Sequence, residues 1–311
     1  MVPAVRASVA FAVAVVAVIV TGCAPSSAGG DGRARITEAI ALMDSGGLFA
    51  TGHEWETARD KALASDVSAD KVSNVIREAV LVAGGPHSAL LFPGELGTSV
   101  VMREPEATIA DGIGVLALPS IAAIGGDHVT SYVASGTAAL KAPAECGWVL
   151  DLRENYGGNM YPMLAAIAAL LDVDQPMKFI DRKGVETPVE VTADGVSSGN
   201  DPGLEISLDS IRAIGAGPLA VLTSDRTASS GELVAIALTG RPGTRSFGET
   251  THGFTTGNEV YQLLDGSTLL LTEAWAANRD GTIFPDGITP DTITEQPLDE
   301  AQAWLRDRCD P

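Results

Sequence analysis

The chain has 311 residues, of which 45% are hydrophobic, 19% charged and 5% aromatic, so it can bury a substantial core and is not a disordered chain. Its 20 Lys and Arg residues stand against 40 Asp and Glu residues, which gives a formal net charge of −20 at pH 7. Such a surface repels phosphate backbones, which argues against nucleic acid as a partner, and it either attracts cationic ligands or serves solubility alone.

Residues 1–22 are typical of a lipoprotein signal peptide. Arg6 precedes 14 uncharged residues, Ala7 to Val20, a stretch that is too short for a comfortable membrane span. The stretch runs into Val20-Thr21-Gly22-Cys23, which resembles the bacterial lipobox, where the cysteine is acylated and becomes the new N-terminus. Residues 23–33 then predict a flexible tether. We therefore expect an extracytoplasmic domain anchored to the cell membrane through Cys23, with an ordinary secretory signal as the alternative.

Residues 34–86 predict an N-terminal helical layer, because apolar side chains recur at helical spacing, as at Ile36, Ile40 and Met43. Residues 87–311 form the predicted core. Its first elements are strands at 89–92, 98–102 and 113–118 and a helix at 127–140. Strand and helix then alternate, with strands at 147–152 and 219–223, a helix at 161–171 and a second helix that ends at 238. This alternation predicts an α/β (α+β) fold with a mixed, partly parallel sheet and crossover helices.

Two further segments complete the predicted core. Residues 172–217 are rich in Gly and Asp and contain short strand-like pieces, which predicts an inserted cap or arm. Asp265-Gly266 separates two apolar runs and predicts a β-hairpin. Cys146 and Cys309 could pair outside the cytoplasm, but the sequence leaves this open. The spacing of His, Cys and carboxylate residues does not match a metal-ligand motif, so we expect neither a metal nor another cofactor.

A serine stands where an apolar strand turns into an apolar helix. This position exposes the Ser229 hydroxyl, aims the positive end of a helix dipole at it and leaves backbone N–H groups nearby. A serine nucleophile needs these features, because the acyl-transfer intermediate develops negative charge beside it. The same residues, Ser229-x-x-Glu232, also form a capping box, in which the serine only caps the helix. Taken alone, the pattern favours the cap.

Three blocks in order give the chain a family resemblance. They are Asp151-Leu152-Arg153-Glu154-Asn155-Tyr156-Gly157-Gly158, Thr227-Ala228-Ser229-Ser230-Gly231-Glu232, and Phe247-Gly248-Glu249-Thr250-Thr251-His252-Gly253 with the later Asp265-Gly266-Ser267 and Gly287-Ile288-Thr289-Pro290-Asp291. Over about residues 147–291 the chain thus resembles the C-terminal processing (tail-specific) serine peptidases. The resemblance implies that Ser229 is the nucleophile and that the substrate is a peptide. The Ser230 N–H would form the oxyanion hole with an N–H at Gly157 or Gly158.

The chain departs from the usual pattern of this family in two ways. Most bacterial members carry a PDZ domain, and no room for one remains between the helical layer and the strand at Ile113. Most members also use a Ser–Lys pair, but Phe254 fills the lysine position and no Lys follows Lys183. If Ser229 acts, its base must be another residue, and histidine is the obvious candidate.

The chain has four histidines. We expect His53 and His128, at predicted helix starts, to be exposed to solvent, while His252 lies two residues before the missing lysine. His87 follows Gly84-Gly85-Pro86, a context that resembles the nisin-resistance members of the family, which use a Ser–His pair. We therefore favour His87 over His252 as the base. Glu232 would cap its helix, orient His87 or bind a positive group of the substrate.

These interpretations predict a membrane-anchored extracytoplasmic serine peptidase that cleaves a cationic peptide, such as a lantibiotic, near its C-terminus. One wall of the substrate groove would come from the acidic residues of the inserted segment, Asp194, Asp201, Glu205 and Asp209. Two alternatives stay open. The chain would act on unfolded protein tails in general, or it would bind a peptide or another ligand on the same fold without catalysis. The oligomeric state is also open.

Overall fold

A computed structural model describes residues 32–65, 68–92, 103–122, 125–208 and 217–309. The predicted signal peptide, the lipobox with Cys23, the strand at 98–102 and Asp209 lie outside these ranges. Within them, no helix is both long and apolar enough to span a bilayer.

The described elements are seven α-helices and thirteen β-strands. In chain order they are α1 (Gly32–Gly46), α2 (Gly52–Ala64), α3 (Ala69–Gly84), β1 (Ala89–Leu91), β2 (Glu106–Ala110), β3 (Ile113–Ala117), α4 (Asp127–Ala139), β4 (Gly147–Asp151), α5 (Met160–Ala166), β5 (Met177–Asp181), β6 (Glu186–Thr192), β7 (Gly195–Ser198), β8 (Asp201–Glu205), β9 (Leu219–Thr223), α6 (Ser230–Leu238), β10 (Thr244–Gly248), β11 (Thr256–Gln262), β12 (Thr268–Asn278), β13 (Thr292–Ile293) and α7 (Pro297–Arg306).

The N-terminal helical layer is confirmed and packs on the β11–β12 hairpin. Ile36, Ile40 and Met43 are buried on one face of α1, as their spacing predicts. They share a core with the inward-facing Leu269 and Leu271 of β12. Burial of these apolar side chains, rather than helix propensity, stabilises three helices that would be marginal in isolation.

The predicted parallel strands form a six-stranded sheet in the order β13-β10-β9-β4-β3-β2. Neighbouring strands from β13 to β3 run parallel, and β2 is antiparallel to β3. Residues Trp148–Leu150 and Leu219–Thr223 are buried, as expected for strands covered on both faces. The predicted helix 161–171 is shorter than expected. The backbone leaves helical geometry at Ile167 (φ −110°, ψ 13°), and α5 ends at Ala166 before a single 3₁₀ turn.

A second, antiparallel sheet has the order β1-β12-β5-β6-β7-β8, with β11 also paired to β12. The sequence predicts one mixed sheet, whereas the described strands form two sheets, and all their parallel pairs lie in the six-stranded one. The predicted hairpin is confirmed as the antiparallel pair β11 and β12. Within residues 172–217, the strands β5–β8 form a meander that extends this sheet from β12. The role of this segment as a cap stays a prediction.

A disulfide joins Cys146 to Cys309, whose Cα atoms lie 4.5 Å apart. It connects the residue before β4 to the chain just beyond α7. The helix α7 covers the face of the parallel sheet opposite α5 and α6, where Leu305 packs with Val149 and Leu222. The bridge therefore fixes the C-terminal end of the chain against the sheet that carries the candidate site.

Candidate active site

The parallel pairing of β4 and β9 brings two turns to one edge of the sheet. The turn after β4 contains Asn155, Gly157 and Gly158, and the turn after β9 leads into Ser229. The Ala228 N–H donates to the Asn155 carbonyl oxygen (3.0 Å). The Asn155 side chain is fully buried, donates to the Leu118 carbonyl (2.9 Å) and accepts the Gly157 N–H (2.9 Å). Asn155 therefore holds both turns in place.

Ser229 immediately precedes α6 and has an unusual backbone conformation, with φ 50° and ψ −122°. A non-glycine residue with positive φ is strained, and such strain persists only where the surrounding structure imposes it. One constraint is the Glu232 carboxylate, which accepts the Ser229 N–H (2.9 Å). Another is Thr227, whose hydroxyl donates to the Leu152 carbonyl (2.9 Å). The turn therefore fixes the direction in which the Ser229 hydroxyl points.

His87 lies directly opposite this hydroxyl. It follows α3, in the turn before β1, and its Nε2 is 3.1 Å from the Ser229 Oγ. Its Nδ1 is 2.7 Å from the Thr256 Oγ1 at the start of β11. Burial, and then the nearby His252, lowers the pKa of His87 from 6.5 to about 4. At neutral pH the imidazole is thus uncharged and able to accept a proton.

Phe254, the residue at the position where the family resemblance implies a lysine, stacks on the His87 ring. The ring centroids are 4.6 Å apart and the planes differ by 12°. His252 also contacts the Phe254 ring. The two ring centroids are 4.4 Å apart and the planes are nearly perpendicular, at 83°. The His252 side chain is exposed to solvent. The structure therefore brings Ser229 together with His87, whereas the described ring contact of His252 is with Phe254.

Glu232 is fully buried and accepts four hydrogen bonds. Its Oε2 accepts the N–H groups of Ser229 and Phe254, and its Oε1 accepts the Thr251 hydroxyl and the Gly253 N–H (2.5–2.9 Å). Burial raises the pKa of this carboxyl, and the four donors oppose that shift. Of the three roles expected for Glu232, the capping contact is the one seen. The carboxylate also links the turn that carries Ser229 to the loop that carries Phe254.

The residues predicted for the oxyanion hole adjoin Ser229. A Cβ atom on Gly157, whose φ is 101°, would lie 2.7 Å from the Ser229 Cβ, so only glycine fits there. The Ser230 hydroxyl donates to the Gly158 carbonyl (2.6 Å), which joins the two turns on this side. The Gly157 N–H already donates to the Asn155 side chain. It therefore differs from the Ser230 and Gly158 N–H groups in having a hydrogen-bond partner on another side chain of the site.

The sequence gives no signal for Thr256 and assigns no role to Asn155. Thr256 lies 169 positions from His87 along the chain, and no motif marks it. His53 and His128 are exposed, as expected. Among the described residues, no group of three or more His, Cys, Asp or Glu side chains could hold a metal ion.

Comparison with known proteins identifies the family. Residues 112–294, more than half of the chain, match the model of peptidase family S41. The chain belongs to peptidase family S41. S41 peptidases are serine peptidases that typically use a Ser–Lys pair. The resemblance to C-terminal processing peptidases that the sequence motifs indicate is thereby confirmed.

Two relatives match the chain over different lengths. The nisin-resistance protein of Lactococcus lactis subsp. lactis is 29% identical over 275 residues, which cover 86% of this chain and 85% of that protein. The carboxyl-terminal-processing protease of Synechocystis is 30% identical over 153 residues, 49% of this chain and 32% of that protein. The nisin-resistance protein therefore matches the N-terminal part of this S41 chain as well as its core.

A solved structure, a lipoprotein from Streptococcus agalactiae, superposes with a TM-score of 0.81 at 29% identity. The superposition covers 92% of this chain and 100% of that one. The S41 fold, with its helical layer and its two sheets, is thus confirmed for the described residues.

Proposed function

We propose that this S41 peptidase cleaves peptide bonds with Ser229 as the nucleophile and His87 as the general base. The observation that supports the proposal is the 3.1 Å approach of the His87 Nε2 to the Ser229 Oγ. His87 takes the hydroxyl proton while the Ser229 Oγ attacks the peptide carbonyl carbon. The tetrahedral intermediate collapses, and His87 returns the proton to the leaving amine. Water, deprotonated by the same nitrogen, then hydrolyses the acyl-enzyme.

The negative oxygen of the intermediate would accept hydrogen bonds from the Ser230 and Gly158 N–H groups. We favour Gly158 over Gly157 because the Gly157 N–H is already donated to Asn155. The Ser230 N–H stands in the first turn of α6, where backbone donors have no partner within the helix. Two such donors stabilise charge that is present only in the intermediate, so they lower the barrier rather than tighten substrate binding.

The site of action in this proposal is the outer face of the cell membrane, with the domain tethered through a lipid on Cys23. The lipobox-like sequence and the similarity to a streptococcal lipoprotein support the anchor. The Cys146–Cys309 disulfide supports an oxidising compartment, because cytosolic proteins rarely keep structural disulfides. Replacing Cys23 with alanine should release the domain from membranes or leave the signal peptide attached. A membrane-bound protein of mature size in that variant would contradict the anchor.

The proposed substrate is a cationic peptide, such as a lantibiotic, cut near its C-terminus. The net charge of −20 and the 29% identity to a nisin-resistance protein support it. Asp201 of β8 accepts the Tyr161 hydroxyl (2.6 Å), which joins the acidic meander to α5, the helix that follows the Gly157–Gly158 turn. This contact supports the meander as one wall of the groove. Opposite charges raise the encounter rate, and salt weakens the effect.

A serine-directed fluorophosphonate tests the catalytic part of the proposal. We expect covalent labelling that mass spectrometry maps to Ser229, no labelling of Ser229→Ala, and no labelling of the heat-unfolded wild type. Peptide binding without labelling or cleavage would contradict catalysis and favour a binding protein on the same fold.

A salt series tests the choice of substrate. Nisin and a charge-neutralised analogue are compared at low and moderate salt, and products are identified by mass. We expect faster cleavage of nisin, close to its C-terminus, with an advantage that salt reduces. Equal rates and no salt effect would favour a general peptidase of protein tails and would leave the role of Ser229 intact.

A further inference from the structure

The His87 ring lies between two hydroxyl groups. Its Nε2 faces the Ser229 Oγ at 3.1 Å and its Nδ1 faces the Thr256 Oγ1 at 2.7 Å. A neutral imidazole carries one proton, and the nitrogen that accepts a proton must be bare. For Nε2 to act as the base, the ring proton must therefore be on Nδ1, where it donates to the Thr256 oxygen.

We propose that Thr256 is the positioning residue of the catalytic pair, which selects the reactive tautomer of His87 and holds its ring toward Ser229. The inference rests on the proposed function. In the described part of the chain, the hydrogen bonds of the His87 ring go to these two hydroxyls and not to a carboxylate. The neighbouring carboxylate, Glu232, directs its two oxygens to four other donors. A neutral hydroxyl thus occupies the place that an aspartate holds in a Ser-His-Asp triad.

Other contacts restrict the ring as well. Phe254 stacks on one face, and the Asn258 side chain donates to the His87 carbonyl oxygen (3.3 Å). Asn258 in turn accepts the Thr272 hydroxyl (2.6 Å). These contacts restrict the position of His87 but do not distinguish its two nitrogens. Within the described contacts, only the Thr256 hydroxyl makes that distinction on the Nδ1 side.

A neutral partner has a consequence that an aspartate would not have. It does not stabilise the imidazolium by charge, and the titratable group close enough to affect the ring, His252, opposes protonation. Glu232 on α6, Glu259 on β11 and Glu273 on β12 belong to elements packed around the site, yet none of them stabilises the charged ring. The base should therefore stay unprotonated, and the peptidase active, at pH values well below 6.5.

The test compares Thr256→Val, which has nearly the same shape but no acceptor, with Thr256→Ser, which keeps the hydroxyl. Thr255→Val is the matched control. Thr255 is the neighbouring buried threonine, just before β11, but its hydroxyl donates to the Phe284 carbonyl (2.6 Å) and not to His87. The measurements are kcat and KM on a peptide, the rate of Ser229 labelling, and the tautomer of His87 from its ¹⁵N resonances, which four histidines in the chain make tractable.

We expect Thr256→Val to lower kcat about tenfold, the scale of one neutral hydrogen bond, with KM nearly unchanged and the Nδ1–H tautomer no longer dominant. Thr256→Ser and Thr255→Val should stay within about threefold of the wild type. Equal rates and the same tautomer in Thr256→Val would overturn the inference. If the wild-type protein shows the Nδ1–H tautomer but Ser229 is never labelled, the proposed function is overturned instead. The tautomers of the wild type and of Thr256→Val would still decide whether Thr256 positions His87.

Discussion

Replacing Glu232 with glutamine changes a single heavy atom of the side chain, yet it should lower the stability of the turn that carries Ser229, called here the nucleophile turn. The carboxylate accepts two hydrogen bonds on each oxygen. Glutamine keeps one oxygen, so its NH₂ group must face two donors in either orientation. If it faces the N–H groups of Ser229 and Phe254, both lose their acceptor. If the NH₂ group instead faces the Thr251 hydroxyl and the Gly253 N–H, the Gly253 N–H loses its acceptor.

The expected cost follows from these contacts. One or two lost hydrogen bonds to a charged group cost about 1.5 to 3 kcal/mol each. Part of this is offset because a neutral amide is easier to bury than the carboxylate, whose pKa burial raises. We therefore expect the free energy of unfolding to fall by about 3 kcal/mol.

Urea unfolding followed by tryptophan fluorescence measures this change, with Glu56→Gln on the exposed face of α2 as the matched control. Labelling of Ser229 should slow in Glu232→Gln because the nucleophile turn loosens. A Glu232→Gln protein within about 0.5 kcal/mol of the wild type, as expected for an ordinary surface substitution, would refute the role assigned to the buried carboxylate.

Three other predictions concern stability and the fit of the site. Cys309→Ser, which removes the disulfide, should lower the free energy of unfolding by about 2 to 5 kcal/mol, as measured by urea unfolding without and with reductant. Because the pKa of His87 is about 4 when folded and 6.5 otherwise, the unfolded state alone gains a proton as pH falls between these values. Stability should drop by about 3 kcal/mol over that range, and His87→Gln should remove this part of the pH dependence. Gly157→Ala should abolish labelling, since its Cβ would collide with Ser229, whereas Gly184→Ala, with similar φ and open space, should not.

Local sequence patterns predict those parts of the fold that local contacts determine. The helices of the N-terminal layer follow from apolar spacing, and the buried strands β4 and β9 follow from uninterrupted apolar runs. The division into two sheets does not follow. It depends on β12, which pairs with β1 and β5, segments about 180 and 90 residues away in the chain. Such pairing depends on side-chain fit between distant strands, which a single sequence does not display.

The candidate site likewise depends on contacts between residues that are far apart in the chain. Ser229 stands in a local strand-to-helix motif, and family resemblance brings His87 into consideration. Thr256 has neither signal. Thr255 and Thr256 are adjacent where β11 begins. Successive side chains of an extended chain point to opposite sides, so only the register of β11 against β12 decides which hydroxyl meets the histidine. The sequence likewise gives no sign that Phe254 stacks on His87.

The central claim is that His87, and not His252, is the base for Ser229. Steady-state kcat/KM on one peptide, measured for His87→Ala, His252→Ala and Ser229→Ala, tests it most directly. We expect a loss of at least about a hundredfold in His87→Ala, on the scale of general-base catalysis, and a similar loss when Ser229→Ala is combined with it. His252→Ala should stay within about threefold of the wild type. Full activity in His87→Ala together with its loss in His252→Ala would contradict the account.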